Sequence, residues 1–189
     1  MIKFFTSDLH LGHKNVITYC NRPFKTVEHM NEQLIRRINE RAHPDDVLIH
    51  VGDFACYGRE RGQENNRTNP KSYLEQINPQ IIPLKGNHDV NNKVKYIGTG
   101  MIMSIGKIGV ITISHHPTTD PKCPEQFRTK GNALGYHICG HVHQLWKHYY
   151  DKEHNKLNIN VGIDVWNYNI VSEQELINYI IKTKRELGL

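Results

Sequence analysis

The chain lacks the marks of a secreted or membrane-bound protein. None of its apolar runs approaches the roughly 18 residues needed to cross a bilayer. Its opening, Met1-Ile-Lys-Phe-Phe-Thr-Ser-Asp8, has no long apolar core and no small-residue cleavage site, so it does not read as a secretory signal. It reads as the first β-strand of a cytoplasmic protein with no membrane partner. Cysteine is sparse as well: Cys20, Cys56, Cys123 and Cys139 form no C-x-x-C pair. That argues against thiolate zinc sites and redox motifs, and the expectation is reduced, mostly buried thiols. Internal repeats, low-complexity tracts and linkers are also missing. With 38% apolar and 23% charged residues in 189, the chain suits one ordered domain over residues 1–189.

Charge points weakly in one direction. Lys and Arg exceed Asp and Glu by 24 to 19, a formal net charge of +5. A mild positive field suits an anionic substrate. It is too slight, taken alone, to mark a nucleic-acid surface.

Strand and helix patterns alternate along the chain, which implies an α/β class. Residues 2–6, 47–51, 80–84 and 136–139 read as strands. Val27, Met30, Leu34, Ile38 and Ala42 recur at helical spacing over 27–42, with Thr26 as a cap. A short helix is expected near 71–77, after a polar loop over 57–70. Two hairpins are expected, 100–105 with 108–114 and 145–150 with 157–161; they make the sheets mixed. Ser172 and Glu175 have capping-box spacing at the start of a last helix over 173–187.

Five strands end in polar residues. They are Asp8-Leu9-His10, Gly52-Asp53, Gly86-Asn87-His88-Asp89, His115, and Gly140-His141-Val142-His143. Open α/β sheets bind ligands beyond the carboxyl ends of their strands, so the five are expected to converge on one rim. Carboxylate, imidazole and carboxamide oxygen are ligands for manganese, iron, zinc or nickel. Asp-x-His and His-x-His each put two side chains on one face of an extended segment. Two such pincers hold two metals if a carboxylate bridges them, and Asp53 stands alone between them as the bridge. Two divalent cations against two carboxylates and a hydroxide leave a positive remainder, which attracts phosphate.

The ordered set from Asp8 to His143 resembles the full signature of calcineurin-like metallophosphoesterases, with no ligand missing. The SDLHLGHKN and YCNRPF stretches resemble a small, cap-free subgroup of that family. The resemblance implies two mixed β-sheets packed as a sandwich flanked by helices, a four-layer αββα arrangement. It implies two divalent metals, manganese first. One would be held by Asp8, His10, Asp53 and His143, the other by Asp53, Asn87, His115 and His141. It implies a catalytic role for His88, with Asp89 orienting it. The expected reaction is hydrolysis of a phosphoester, a phosphodiester by preference, by a hydroxide bridging the two metals. Phosphomonoester or nuclease activity, on a nucleotide or nucleic acid, is the alternative within the same fold. A protein-binding scaffold of this fold, as in the retromer coat, would be expected to have lost ligands that this chain keeps.

Other residues are candidates of a second rank. Lys14, Asn15 and Arg22 follow the first motif and are placed as substrate-phosphate contacts. Arg59, Arg61 and Arg67 lie in the 57–70 loop, a candidate cover for the site. Trp146, Trp166 and Tyr168 are candidates for stacking on a base. Asp164 follows a strand and is a candidate support for a metal-bound histidine.

Overall fold

The computed structural model describes residues 1–56, 69–90 and 92–189. β1 (Lys3–Thr6) buries Phe4 and Phe5 on opposite faces, as the two-residue period of a strand requires. Phe4 joins a core shared with a helix, α2 (Val27–Arg41), whose Met30, Leu34 and Ile38 form its buried stripe. Phe5 joins a second core that lies between two sheets. β2 (Val47–Val51) repeats the division, with Leu48 toward the helix and Ile49 and Val51 toward the sandwich interior.

β1 and β2 run parallel to β3 (Gln80–Leu84), and the short β9 (Val171–Ser172) lies antiparallel to β1, giving the order β3-β2-β1-β9. The second sheet comprises β4 (Gly100–Ile105), β5 (Gly109–Ser114), β6 (Gly135–Cys139), β7 (His148–Asp151) and β8 (Lys156–Asn160). Its order is β4-β5-β6-β8-β7, parallel in the middle and antiparallel at both edges. Both sheets are therefore mixed, and helices flank them. No helix among the described residues is long and apolar enough to cross a membrane.

Local chemistry sets the helix boundaries. The Thr26 side chain accepts from His29 N at 3.1 Å and opens α2. The Ser172–Glu175 capping box opens α5 (Glu173–Glu186). The helix expected at 71–77 is shorter, α3 (Pro70–Leu74), with Asn69 as its cap. A 3₁₀ turn at Gly106–Ile108 joins β4 to β5. β7 starts at His148, so residues 145–147 stay in the preceding loop. Two helices, α1 (Lys14–Tyr19) and α4 (Glu125–Arg128), are too short to show a periodic signal in sequence. Apart from Asn69 and Pro70, the expected 57–70 loop, with Arg59, Arg61 and Arg67, lies outside the described residues.

Two core histidines predict an acid-labile fold. His50 on β2 and His137 on β6 are fully buried. Burial holds His50 at about 3 and His137 at about 4. An unfolded imidazole titrates near 6.5, so below that pH the unfolded chain binds protons that the folded chain refuses. Stability therefore falls as pH drops from about 6.5 toward about 4, by up to about 1.4 kcal/mol per pH unit for each histidine. The urea midpoint of chelator-treated protein should drop steadily over that window, and His50→Leu should flatten the drop. A constant midpoint from pH 7 to 4.5 contradicts the account.

Candidate metal centre

The strand ends deliver the polar motifs to one rim, and backbone bonds stitch them together. Asp8 N donates to Gly52 O at 3.0 Å, His10 N to Asp53 O at 3.0 Å, and Gly140 N to His115 O at 3.0 Å. These join the first motif to the second and the His115 segment to the His141 segment, and His141 N, donating to Asp8 Oδ2 at 3.0 Å, makes the two pairs one frame. Gly140 is needed for close approach, since a Cβ there would run into Ser7 Oγ and Asp8 Oδ2. Gly52 needs its freedom of backbone: its φ is +92°, and a Cβ would meet His115 Nδ1 at 2.5 Å.

The pincers are not extended, contrary to the period-two expectation. Asp8, His10, Asp53, His141 and His143 all have left-handed φ, at 57°, 50°, 58°, 71° and 46°. Each costs conformational energy that the surrounding bonds must hold, a pattern that clusters at functional sites. Between Asp8 and His10, Leu9 points into the α2 core and is fully buried. The motif thus turns both polar side chains to the rim around an apolar anchor.

At the middle of the rim stands Asp53. Its Oδ2 lies 3.2 Å from His115 Nε2 and 3.5 Å from His10 Nε2. Its Oδ1 accepts from His88 N at 2.8 Å. His115 Nδ1 is 2.9 Å from Val51 O, a partner that can only accept, so Nδ1 carries the proton. In the neutral ring, Nε2 then presents a lone pair to Asp53 Oδ2 and, at 3.0 Å, to Asn87 Oδ1. His10 Nε2 is buried and has no hydrogen-bond partner among the described residues, and it lies 4.0 Å from Asp8 Oδ1. Burial holds His10 well below the usual imidazole range, so it stays neutral with its lone pair available. Lone pairs converging in this way repel one another unless a cation or a proton lies between them. The donor set therefore fits hard-to-borderline divalent cations. The ligand atoms of Asp8, His10 and His143 lie within 4.8 Å of one another, as do those of Asp8, Asp53 and His115.

Charge within the cluster follows the same logic. Burial opposes a proton on His115, but the bond to Asp53, the Asp8 and Asp53 charges and the Val51 carbonyl together outweigh it and lift the ring to about 9. For Asp53, burial favours the neutral acid, yet the His115 bond, the His115 and His10 charges and the His88 N–H together hold the carboxyl below the usual range. Burial raises Asp8. His143 is pushed up to about 10: burial resists, and the bonds to Asp164 and Cys20 together with the Asp8 charge override it.

Asp164 does support a histidine. Its Oδ2 lies 3.0 Å from His143 Nδ1, which leaves His143 Nε2 turned toward Asp8 Oδ1 at 3.9 Å. Arg22 is the correction. Expected at the substrate, it is buried, with Nε donating to Asp164 Oδ1 at 2.8 Å. Its remaining donors go to Asp164 Oδ2, Asp8 O, Leu9 O and Met30 Sδ at 2.9, 2.7, 3.0 and 3.5 Å. Its fork is fully committed, so it braces the first motif and Asp164 together.

Asp89 also departs from expectation. Its carboxylate accepts from Asp53 N, Phe54 N, Gly86 N and Asn92 Nδ2, at 2.7, 2.9, 2.8 and 3.0 Å. With four donors on it, it binds the second motif to the third. His88 itself is exposed, its ring 5.2 Å from that of His10. His141 sits with its Nε2 3.7 Å from Asp120 Oδ2 and its ring 5.2 Å from that of His115. His116, Asp120 and His141 form a further group of ligand-type atoms that sequence reasoning did not single out. Lys14 and Asn15 begin α1 and are exposed, and Lys14 lines a groove with Lys25 and Glu28 rather than the histidine-lined pocket. Trp166 packs on Tyr179 under Lys147, Tyr168 on Phe24, and Trp146 near Tyr149. None of the three lines the pocket over the histidines.

Two mixed sheets flanked by helices, with carboxylates and imidazoles gathered at the strand ends, define an α/β sandwich whose rim carries side chains that could hold a metal ion. The chain belongs to the calcineurin-like phosphoesterase superfamily, whose domain matches residues 1–169. It is similar to an uncharacterised protein of Methanocaldococcus jannaschii, 30% identical over 182 residues, covering 96% of this chain and 92% of that one. Its structure is similar to that of a protein of unknown function from Aquifex aeolicus. That match has a TM-score of 0.70 and 26% identity over 94% of this chain and 98% of the other. Vps29 of Chaetomium thermophilum matches at a TM-score of 0.43 and 10% identity, over 85% of this chain and 71% of its own. That likeness is too slight to carry an argument.

Proposed function

We propose that the chain is a metal-dependent phosphoesterase that acts on phosphodiesters in preference to monoesters. The observation that carries this reading is the aim of His10 Nε2 and His115 Nε2 at one carboxylate oxygen of Asp53, 3.5 and 3.2 Å away. Asp8, His10, Asp53 and His143 would hold one divalent cation, and Asp53, Asn87, His115 and His141 the other. Manganese is the first candidate, with iron, zinc or nickel as alternatives. Such ions, when bound, supply Lewis acidity toward phosphoryl oxygens and lower the pKa of water.

The chain's own groups do the rest. Val51 O and Asp164 fix the ring orientation of His115 and His143, so each turns its other nitrogen inward. His88 stands exposed at the rim, with its backbone N–H donating to Asp53 Oδ1 and its ring 5.2 Å from that of His10. From there its imidazole holds a proton for the leaving oxygen or grips the phosphate. The rim opens into a cavity of about 410 Å³ lined by His10, His88, His141 and His143, more room than a phosphate alone would fill.

The deciding experiment strips the protein with chelator, refills it with manganese and compares a chromogenic diester with its monoester. Turnover that returns with metal and favours the diester supports the reading; turnover indifferent to chelation sinks it. For His88→Ala, kcat should fall by about 10²–10⁴-fold while metal content stays at the wild-type value. Unchanged kcat would remove His88 from the reaction.

A further inference from the structure

The pocket over the histidines is lined by groups of two chemistries. Imidazoles of His10, His88, His141 and His143 form one. The other is apolar, with Val16 and Tyr19 from α1 and Val142 and Leu145 from the loop after β6. No Lys, Arg, Asp or Glu side chain among the described residues lines it. Tyr19 and Leu145 are large side chains left 71% and 76% exposed. A lone exposed apolar residue calls for no explanation. Two of them lining the same pocket as a cluster of imidazoles are an unfilled binding wall.

We infer that this apolar wall seats the organic group of the substrate, and that this group is a single flat aromatic ring system of nucleobase size. The inference rests on the phosphoesterase reading, because that reading fixes the phosphate at the histidine end. With the phosphate there, the ester oxygen points its substituent along the cavity, between Tyr19 and Leu145. Tyr19 offers a ring face and Leu145 and Val142 an aliphatic one, which together sandwich a flat ring. The cavity, about 410 Å³, exceeds what a phosphate alone would fill. A polynucleotide needs a track of Lys or Arg for its backbone, and the described lining has none. One ring on one phosphate matches both ends. Gln144 Nε2, donating to Tyr19 O at 3.5 Å, ties the two walls at their outer edge.

Titration calorimetry on the manganese-loaded protein tests this without turnover. Phenylphosphonate and methylphosphonate carry the same anionic head on a carbon–phosphorus bond that is not hydrolysed. Phenylphosphonate should bind at least about tenfold more tightly, the size of one aromatic stacking contact. The Tyr19→Ala/Leu145→Ala double variant should bring that ratio close to one, and Tyr19→Phe should preserve it. Both side chains lie at the surface, and an unchanged circular dichroism melt would confirm that the double variant is folded. Equal affinities in the wild-type protein, an unchanged ratio in the double variant, or no binding of either phosphonate overturns the assignment. Phenyl preference without turnover of any ester sinks the phosphoesterase reading but keeps the aromatic subsite. Turnover without phenyl preference does the reverse.

Discussion

Asp53→Ala is expected to lose its divalent metal and, with it, all metal-dependent turnover. One side chain here serves three motifs. Its Oδ2 stands 3.5 Å from His10 Nε2 and 3.2 Å from His115 Nε2, and its Oδ1 holds His88 N at 2.8 Å. Removing it leaves each proposed cation one carboxylate short and frees the backbone that carries His88. Losing the Lewis-acid contribution costs several kcal/mol of transition-state stabilisation, a fall in turnover of about 10³-fold or more. Metal analysis after dialysis should show well under one ion per chain. The backbone at Asp53 is left-handed, with φ 58°, a conformation Asp and Asn tolerate better than Ala. Asp53→Asn is therefore the companion variant, since it keeps the backbone preference and an oxygen for His88 N but removes the charge. If both variants bind less metal, charge is the cause; if only the alanine does, backbone shape is. Wild-type metal content and turnover in both would end the metal-centre reading.

Much of this arrangement was legible in sequence, for a physical reason. β1, β2, β3 and β6 are short buried strands followed at once by polar residues, and such a switch marks both the strand and the rim beyond it. The caps at Thr26 and Ser172 are local bonds, so their spacing declares them. What the sequence hid depends on contacts between distant residues. Left-handed backbone at Asp8 and His10 is imposed by bonds to Gly52, Asp53 and Arg22, not by local propensity. The role of Arg22 could not be read because its partner, Asp164, lies 142 residues away. Asp89 sits inside a motif, yet its oxygens go to backbone N–H groups that no motif reveals. The Tyr19 and Leu145 walls come from a six-residue helix and a loop, neither with a periodic pattern. Asp164 was singled out because it follows a strand near the rim, and position is enough when the partner is a histidine already suspected.

Arg22→Met should lower the free energy of unfolding by about 3–5 kcal/mol, the cost of stranding one partner of a buried pair. The Arg22 and Asp164 side chains are 0% and 1% exposed, so water cannot take over for the lost partner. The loss extends beyond the pair, because the same guanidinium holds Asp8 O and Leu9 O and with them the left-handed turn of the first motif. Asp164→Asn should destabilise for the same reason. It should also weaken metal affinity by about 10–100-fold, since His143 loses the carboxylate that orients its ring. The combined Arg22→Met/Asp164→Leu variant separates the two effects. Replacing both charges with apolar groups removes the stranded charge, so urea unfolding should recover much of the stability lost in either single variant. Metal affinity should stay low, because nothing then holds His143 Nδ1. If the combined variant regains metal affinity together with stability, then Asp164 acts on the centre only by keeping the chain folded, and its role in aiming His143 falls.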